Sequence, residues 1–177
     1  YWPNLSIPST KNIESKINTS IDIVYDSKEK NAVLETKTVK HLCTNWDKNI
    51  YNISDYSLES KSDAIHYVCH FDGNDIIAGN RKINYYTFFK NINSNKKIII
   101  LNMCQGSSKL IKNNIYDSLP LFLILKGVQT VICHRWNLGQ KASLNFTENF
   151  YTQLNKGYNI SNAFNDSLMK IKEYKTI

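Results

Sequence analysis

The sequence predicts an α/β domain built on a mostly parallel sheet, and three observations predict it. Short apolar, β-branched runs alternate along the chain with longer stretches of helical apolar spacing, as parallel crossovers require. The clearest run, Lys97 to Met103 (KIIILNM), is continuously apolar, which suits a strand covered on both faces. The chain has 177 residues, 42% hydrophobic and 21% charged, enough for one domain with a real core.

The elements follow in order. Residues 1–20 are polar with Pro3 and Pro8 and read as a lead-in or linker from something upstream, leaving 21–177 as one domain, the C-terminal part of a longer chain. Ile21 to Tyr25 (IDIVY) reads as a strand. Asn31 to Trp46 carries Leu34, Val39, Leu42, Cys43 and Trp46 at roughly helical spacing. Asn49 to Ile53 is a second strand. Ala64 to His70 (AIHYVCH) reads as a buried strand ending in the loop signal Phe71-Asp72-Gly73-Asn74-Asp75. Asp75 to Ile83 has an inner Gly-Asn and suits a small hairpin. Asn84 to Ile92 reads as a short aromatic helix. The strand Lys97 to Met103 stops at Cys104-Gln105-Gly106. Ser118-Leu119-Pro120 opens an apolar helix to Lys126, which Gly127 ends. Val128 to Cys133 is a further buried strand. Lys141 to Leu154 and Ile160 to Ile171 are amphipathic helices, the second with Ala163, Phe164, Leu168, Met169 and Ile171 as its apolar set.

Composition excludes several function classes. With 3 Pro and 6 Gly the chain is neither collagen-like nor a linker. The longest apolar candidate, Leu119 to Cys133, is broken by Lys126, Gly127 and Gln129, too short to span a bilayer. Lys and Arg total 22 against 15 Asp and Glu, a net +7. The cations are dispersed lysines, with only Arg81 and Arg135 as forks for phosphate, so direct nucleic-acid binding is not expected. Cys43, Cys69, Cys104 and Cys133 show no CxxC spacing and suit neither a zinc ribbon nor a disulfide scaffold. His66, Cys69 and His70 cannot share one metal, because neighbouring strand residues point to opposite faces. No metal and no cofactor are expected, and the protein is expected in the cytoplasm.

In an open parallel sheet, sites form beyond the carboxyl ends of the strands. His70 closes one predicted strand and Cys104 follows another. If those strands are neighbours, both side chains reach one crevice. An imidazole beside a thiol makes a thiolate nucleophile and a proton shuttle. Gln105 and Gly106 allow backbone N–H groups to turn toward an incoming carbonyl. Asn102, Asp72, His134, Arg135 and Trp136 lie near these ends as candidate pocket residues.

Asn102-Met103-Cys104-Gln105-Gly106, with His70 upstream, resembles the local caspase signature. The likeness is closer to one caspase-like branch, the CHAT domain, often found after tetratricopeptide repeats. Its features recur in order: the strand IDIVY and the helix after it, the strand end His66-Tyr67-Val68-Cys69-His70, the strand end LNMCQGSS, the segment LPLFLILKGVQTVICHRWNL, and the last two helices. The resemblance covers roughly residues 20–175. It implies a caspase-haemoglobinase-like three-layer fold, a mostly parallel central sheet with helices on both faces. It implies a cysteine endopeptidase acting on a protein substrate, with Cys104 as nucleophile and His70 as base and acid. The N–H of Cys104 and of Phe71 would bind the oxyanion, with Gly73, Gln105 and Gly106 lining the cleft. Members of the family include switched proteases, CRISPR-associated or otherwise defensive, gated by an upstream repeat or sensor domain or by an activating partner. The alternative is a catalytically inactive caspase-fold interaction module.

Overall fold

The computed structural model describes residues 20–56, 60–72, 75–92, 95–102, 119–133 and 139–173. Five parallel strands form the central sheet: β1 (Ser20–Tyr25), β2 (Asp47–Asn52), β3 (Ala64–Val68), β7 (Ile98–Asn102) and β8 (Val131–Cys133), in the order β2-β1-β3-β7-β8. A second sheet, β4-β5-β6, is an antiparallel set made of β4 (His70–Phe71), β5 (Asp75–Ala78) and β6 (Arg81–Asn84). The helices are α1 (Lys30–Leu42), α2 (Tyr85–Phe89), α3 (Leu119–Leu125), α4 (Gln140–Asn155) and α5 (Ile160–Glu173).

Strand alternation builds two cores, one on each face of the central sheet. Val24, Ile65, Tyr67, Ile99, Leu101 and Val131 face α2, α3 and the small sheet. Ile21, Ile23, Ala64, Ile98, Ile100 and Ile132 face α1, α4 and α5. The result is three layers with helices on both faces. The continuous apolar run of β7 is explained by this placement: Ile98 to Leu101 are all buried, alternately in one core and the other. Each such side chain contributes about 1.5–3 kcal/mol of transfer free energy.

The helix ends follow the sequence signals. Gly127 (φ +96°) closes the turn after α3, and Gly157 (φ +87°) the turn after α4. A left-handed residue at a helix C-terminus satisfies loose carbonyls at least cost when it is glycine.

Three expectations change. The run Ala64–His70 is not one strand: β3 ends at Val68, and after Cys69 the chain enters the small sheet as β4. Both halves have strand-forming side chains, so no residue type marks the break. Leu34 is 46% exposed, because the buried face of α1 is Ala32, Glu35, Thr36 and Val39. Met169 is 59% exposed, on the outer side of α5.

No helix among the described residues is long and apolar enough to cross a membrane.

Candidate active site

Strand register fixes one edge of the central sheet as the place where loops converge. Tyr25 is paired with Asn52 and with Val68, Val68 with Asn102, and Leu101 with Cys133. These residues end their strands together at the carboxyl edge. β3 and β7 are therefore adjacent, as a shared crevice requires. His70 comes two residues after Val68, and Cys104 two residues after Asn102. Cys104 itself lies outside the described residues, as do Gly73, Gln105, Gly106, His134, Arg135 and Trp136.

His70 starts β4 and is register partner to Ile77. Its side chain is 51% exposed, and Nε2 lies 3.0 Å from Glu29 Oε1. Phe71, next in the chain, alternates inward: it is buried against the α2–α3 core and meets Tyr85 edge-on. Asp72 folds its carboxylate back, accepting from the Asp75 N–H at 2.8 Å and from Lys82 Nζ at 3.0 Å. The Asp72 N–H donates to the Asp75 carbonyl at 3.1 Å. In an antiparallel pair the donating N–H groups alternate. Phe71 therefore turns its N–H away from β5, to the side of β4 where no strand pairs among the described residues.

Behind this edge sits a buried polar cluster. His66 of β3 is fully buried on the α1–α4 face. Its Nε2 lies 2.9 Å from Glu35 Oε1, and its Nδ1 2.8 Å from Tyr151 Oη. Because a carboxylate only accepts, Nε2 carries a proton toward Glu35. Thr147 Oγ1 also donates to Glu35 Oε1 at 2.8 Å, and Asn102 Nδ2 donates to the same oxygen. Ser143 Oγ lies 2.8 Å from Asn102 Oδ1 and 2.6 Å from Nδ2. Burial alone would raise the Glu35 carboxyl. The His66, Thr147 and Asn102 bonds outweigh it and hold the group below its ordinary range. Asn102, expected near the substrate pocket, thus turns its side chain to α1 and α4, tying the end of β7 to both helices.

His66, Cys69 and His70 occupy three different environments. His66 is in the α1–α4 core, Cys69 in the opposite core, and His70 at the surface. Burial pushes the Cys43 thiol up to about 12 and raises the Cys69 thiol as well, which disfavours the thiolate at both. Cys133, at the end of β8, is half-buried.

Glu35 and Glu29 were absent from the candidate residues. Glu29 lies in the polar run Ser27-Lys28-Glu29-Lys30, which reads as a solvated turn. For Glu35 a signal existed: a histidine inside a strand with no polar face needs a buried partner.

A three-layer α/β domain with a parallel sheet and a histidine beyond the carboxyl end of one strand has the caspase-like architecture. The family model of the CHAT domain matches residues 26–175, and the chain belongs to that family. No curated protein matches the chain. Among solved structures, a flavodoxin from the domain Archaea is similar at TM-score 0.47 and 13% identity, covering 78% of this chain and 98% of its own. A flavodoxin mutant from Fusobacterium nucleatum bound to flavin mononucleotide is similar at TM-score 0.47 and 10% identity, covering 85% of this chain and 99% of its own. At that level of likeness, neither cofactor nor activity transfers.

Proposed function

We propose that this CHAT domain is a cysteine endopeptidase that cleaves a protein substrate through Cys104 and His70. The observation that supports the reading is the register of Val68 on Asn102, with the two reactive residues each two positions further on. Two residues of chain reach no more than about 7 Å. The dyad therefore requires no rearrangement of the sheet.

In the proposed reaction His70 takes the Cys104 thiol proton, and the thiolate sulfur bonds to the scissile carbonyl carbon. The carbonyl π pair moves to oxygen. Collapse then breaks the C–N bond, and the imidazolium gives its proton to the departing amine. Water, deprotonated by His70, attacks the thioester; the acid leaves and the thiol is restored. The oxyanion would take the N–H of Cys104 and that of Phe71. The outward Phe71 N–H favours this part of the reading. It also explains how a bulky residue is accommodated after the histidine: its ring is spent on the core behind. Gly73, Gln105 and Gly106 would shape the cleft, and Asp72, His134, Arg135 and Trp136 would border it. The gate would be an upstream repeat or sensor domain or an activating partner.

The test is covalent labelling of the full-length protein, with its upstream partner or domain present, by a thiol-directed peptide electrophile. Selective modification of Cys104 that collapses in His70→Ala is expected. Slow, indiscriminate labelling, equal in wild type and His70→Ala, would replace the protease with the interaction module.

A further inference from the structure

We propose that Glu29 is the positioning carboxylate for His70, a third member of the site that selects the imidazole tautomer. The inference rests on the Cys104/His70 reading above. Its first support is the 3.0 Å contact between Glu29 Oε1 and His70 Nε2. We take Nε2, the nitrogen that faces the carboxylate, as the protonated one, which puts the lone pair on Nδ1. That leaves Nδ1 as the atom that takes the Cys104 proton and later returns it to the amine. The Nε2–H stays on Glu29 throughout, and the positive ring formed in between is stabilised by the adjacent negative charge.

The second support is what Glu29 does not do. It occupies the N-cap of α1, where side chains ordinarily accept from the first N–H groups of the helix. Its side chain makes no cap bond. Only its backbone serves the helix, the carbonyl accepting from the Val33 N–H at 3.0 Å. The carboxylate is turned to the imidazole instead.

The third support is how both partners are held. Asp26, buried at the end of β1, accepts from the Lys28 N–H at 3.0 Å and from the Gly79 N–H at 3.1 Å. Its own N–H donates to the Val68 carbonyl at 3.1 Å, and its carbonyl accepts from the Glu29 N–H at 3.1 Å. Gly79, at φ +60°, turns β5 into β6, in the sheet that carries His70. Asp26 therefore ties three parts together: its carboxylate holds the Glu29 loop and the His70 sheet, and its backbone N–H holds the end of β3. A Cβ at Gly79 would sit 3.2 Å from Lys28 Nζ, in the same loop as Glu29.

Stability does not explain the pair. Both side chains are far from buried, 51% and 40% exposed. Ion pairs so placed contribute little to folding. A merely structural Glu29 would be silent in a reactivity assay.

The experiment measures the rate of Cys104 alkylation by iodoacetamide, read by peptide mass spectrometry, in the full-length protein with its activator. Buried Cys43 and Cys69 serve as internal controls. Wild type is compared with Glu29→Ala, Glu29→Gln, His70→Ala and Cys104→Ala, with thermal unfolding recorded for each. Glu29→Ala is expected to slow alkylation about tenfold or more at unchanged melting temperature. Glu29→Gln, which keeps an accepting oxygen without the charge, is expected to recover part of the rate. A wild-type or faster rate in Glu29→Ala, with His70→Ala slow, would overturn the role of Glu29 and leave the dyad standing. A wild-type rate in His70→Ala would overturn both.

Discussion

Among the described residues are two histidine–glutamate pairs, and both join α1 or its N-cap to the chain between residues 66 and 70. His66 meets Glu35 at 2.9 Å in the core, with side chains 0% and 7% exposed. His70 meets Glu29 at 3.0 Å at the sheet edge, 51% and 40% exposed. The contact chemistry and distance are nearly the same, and burial separates the two. In the core, each lost partner strands a desolvated polar group, so the pair is bound up with the fold. At the edge, water replaces either partner at small cost. The five residues from 66 to 70 contain the break at Cys69, where the chain leaves one sheet for another. That break converts a core histidine into a surface one.

Removing the buried carboxylate should have the largest effect on stability. Glu35→Ala leaves His66, Thr147 and Asn102 without their common acceptor, and a loss of about 3–5 kcal/mol is expected in urea unfolding. A cost below about 1 kcal/mol would erase the distinction between the pairs. Thr147→Val removes a single donor to the same oxygen. It should cost about 1.5–3 kcal/mol, the range for a hydrogen bond to a charged group.

The pH dependence sharpens the contrast. The Glu35 carboxyl is held below its ordinary value of 4.5 in the folded chain. Its contribution is therefore fully present above that value and is lost as the pH falls below it, because the unfolded chain binds the proton first. Melting temperatures recorded between about pH 6 and pH 3 should fall more steeply for wild type than for Glu35→Gln. Parallel curves would contradict the buried, ionised carboxylate.

The smallest effect on stability belongs to the edge. Unfolding of His70→Ala should match wild type within about 1 kcal/mol, because an exposed ion pair adds little to stability. A much larger loss would make His70 structural.

Most of this architecture was readable from residue patterns. The core strands β1, β3 and β7 and the long helices correspond to apolar runs or periodic stretches, and Gly127 and Gly157 end helices where backbone conformation demands glycine. The errors come from tertiary context. Leu34 looked like core because it is apolar, yet it is exposed, and the charged Glu35 takes a place on the buried face of α1 because His66 offers it a buried partner. The strand break after Val68 depends on pairing with β5, a long-range fact with no local signature. The place of His70 beyond the end of a buried strand was legible because it sits between a buried run and a polar loop. Phe71 was expected to serve through its backbone, and the alternation of β4 explains why its side chain is free to be core. Glu29 was invisible, since its partner lies on another element.

The central claim is that the ends of β3 and β7 deliver residues 70 and 104 to one place. A short thiol-to-thiol cross-linker applied to the His70→Cys variant tests this without substrate or activator. The account predicts a bridge between residue 70 and Cys104 in peptide maps, with buried Cys43 and Cys69 unmodified. A variant in which residue 70 and Cys104 are each singly modified but never bridged would contradict it.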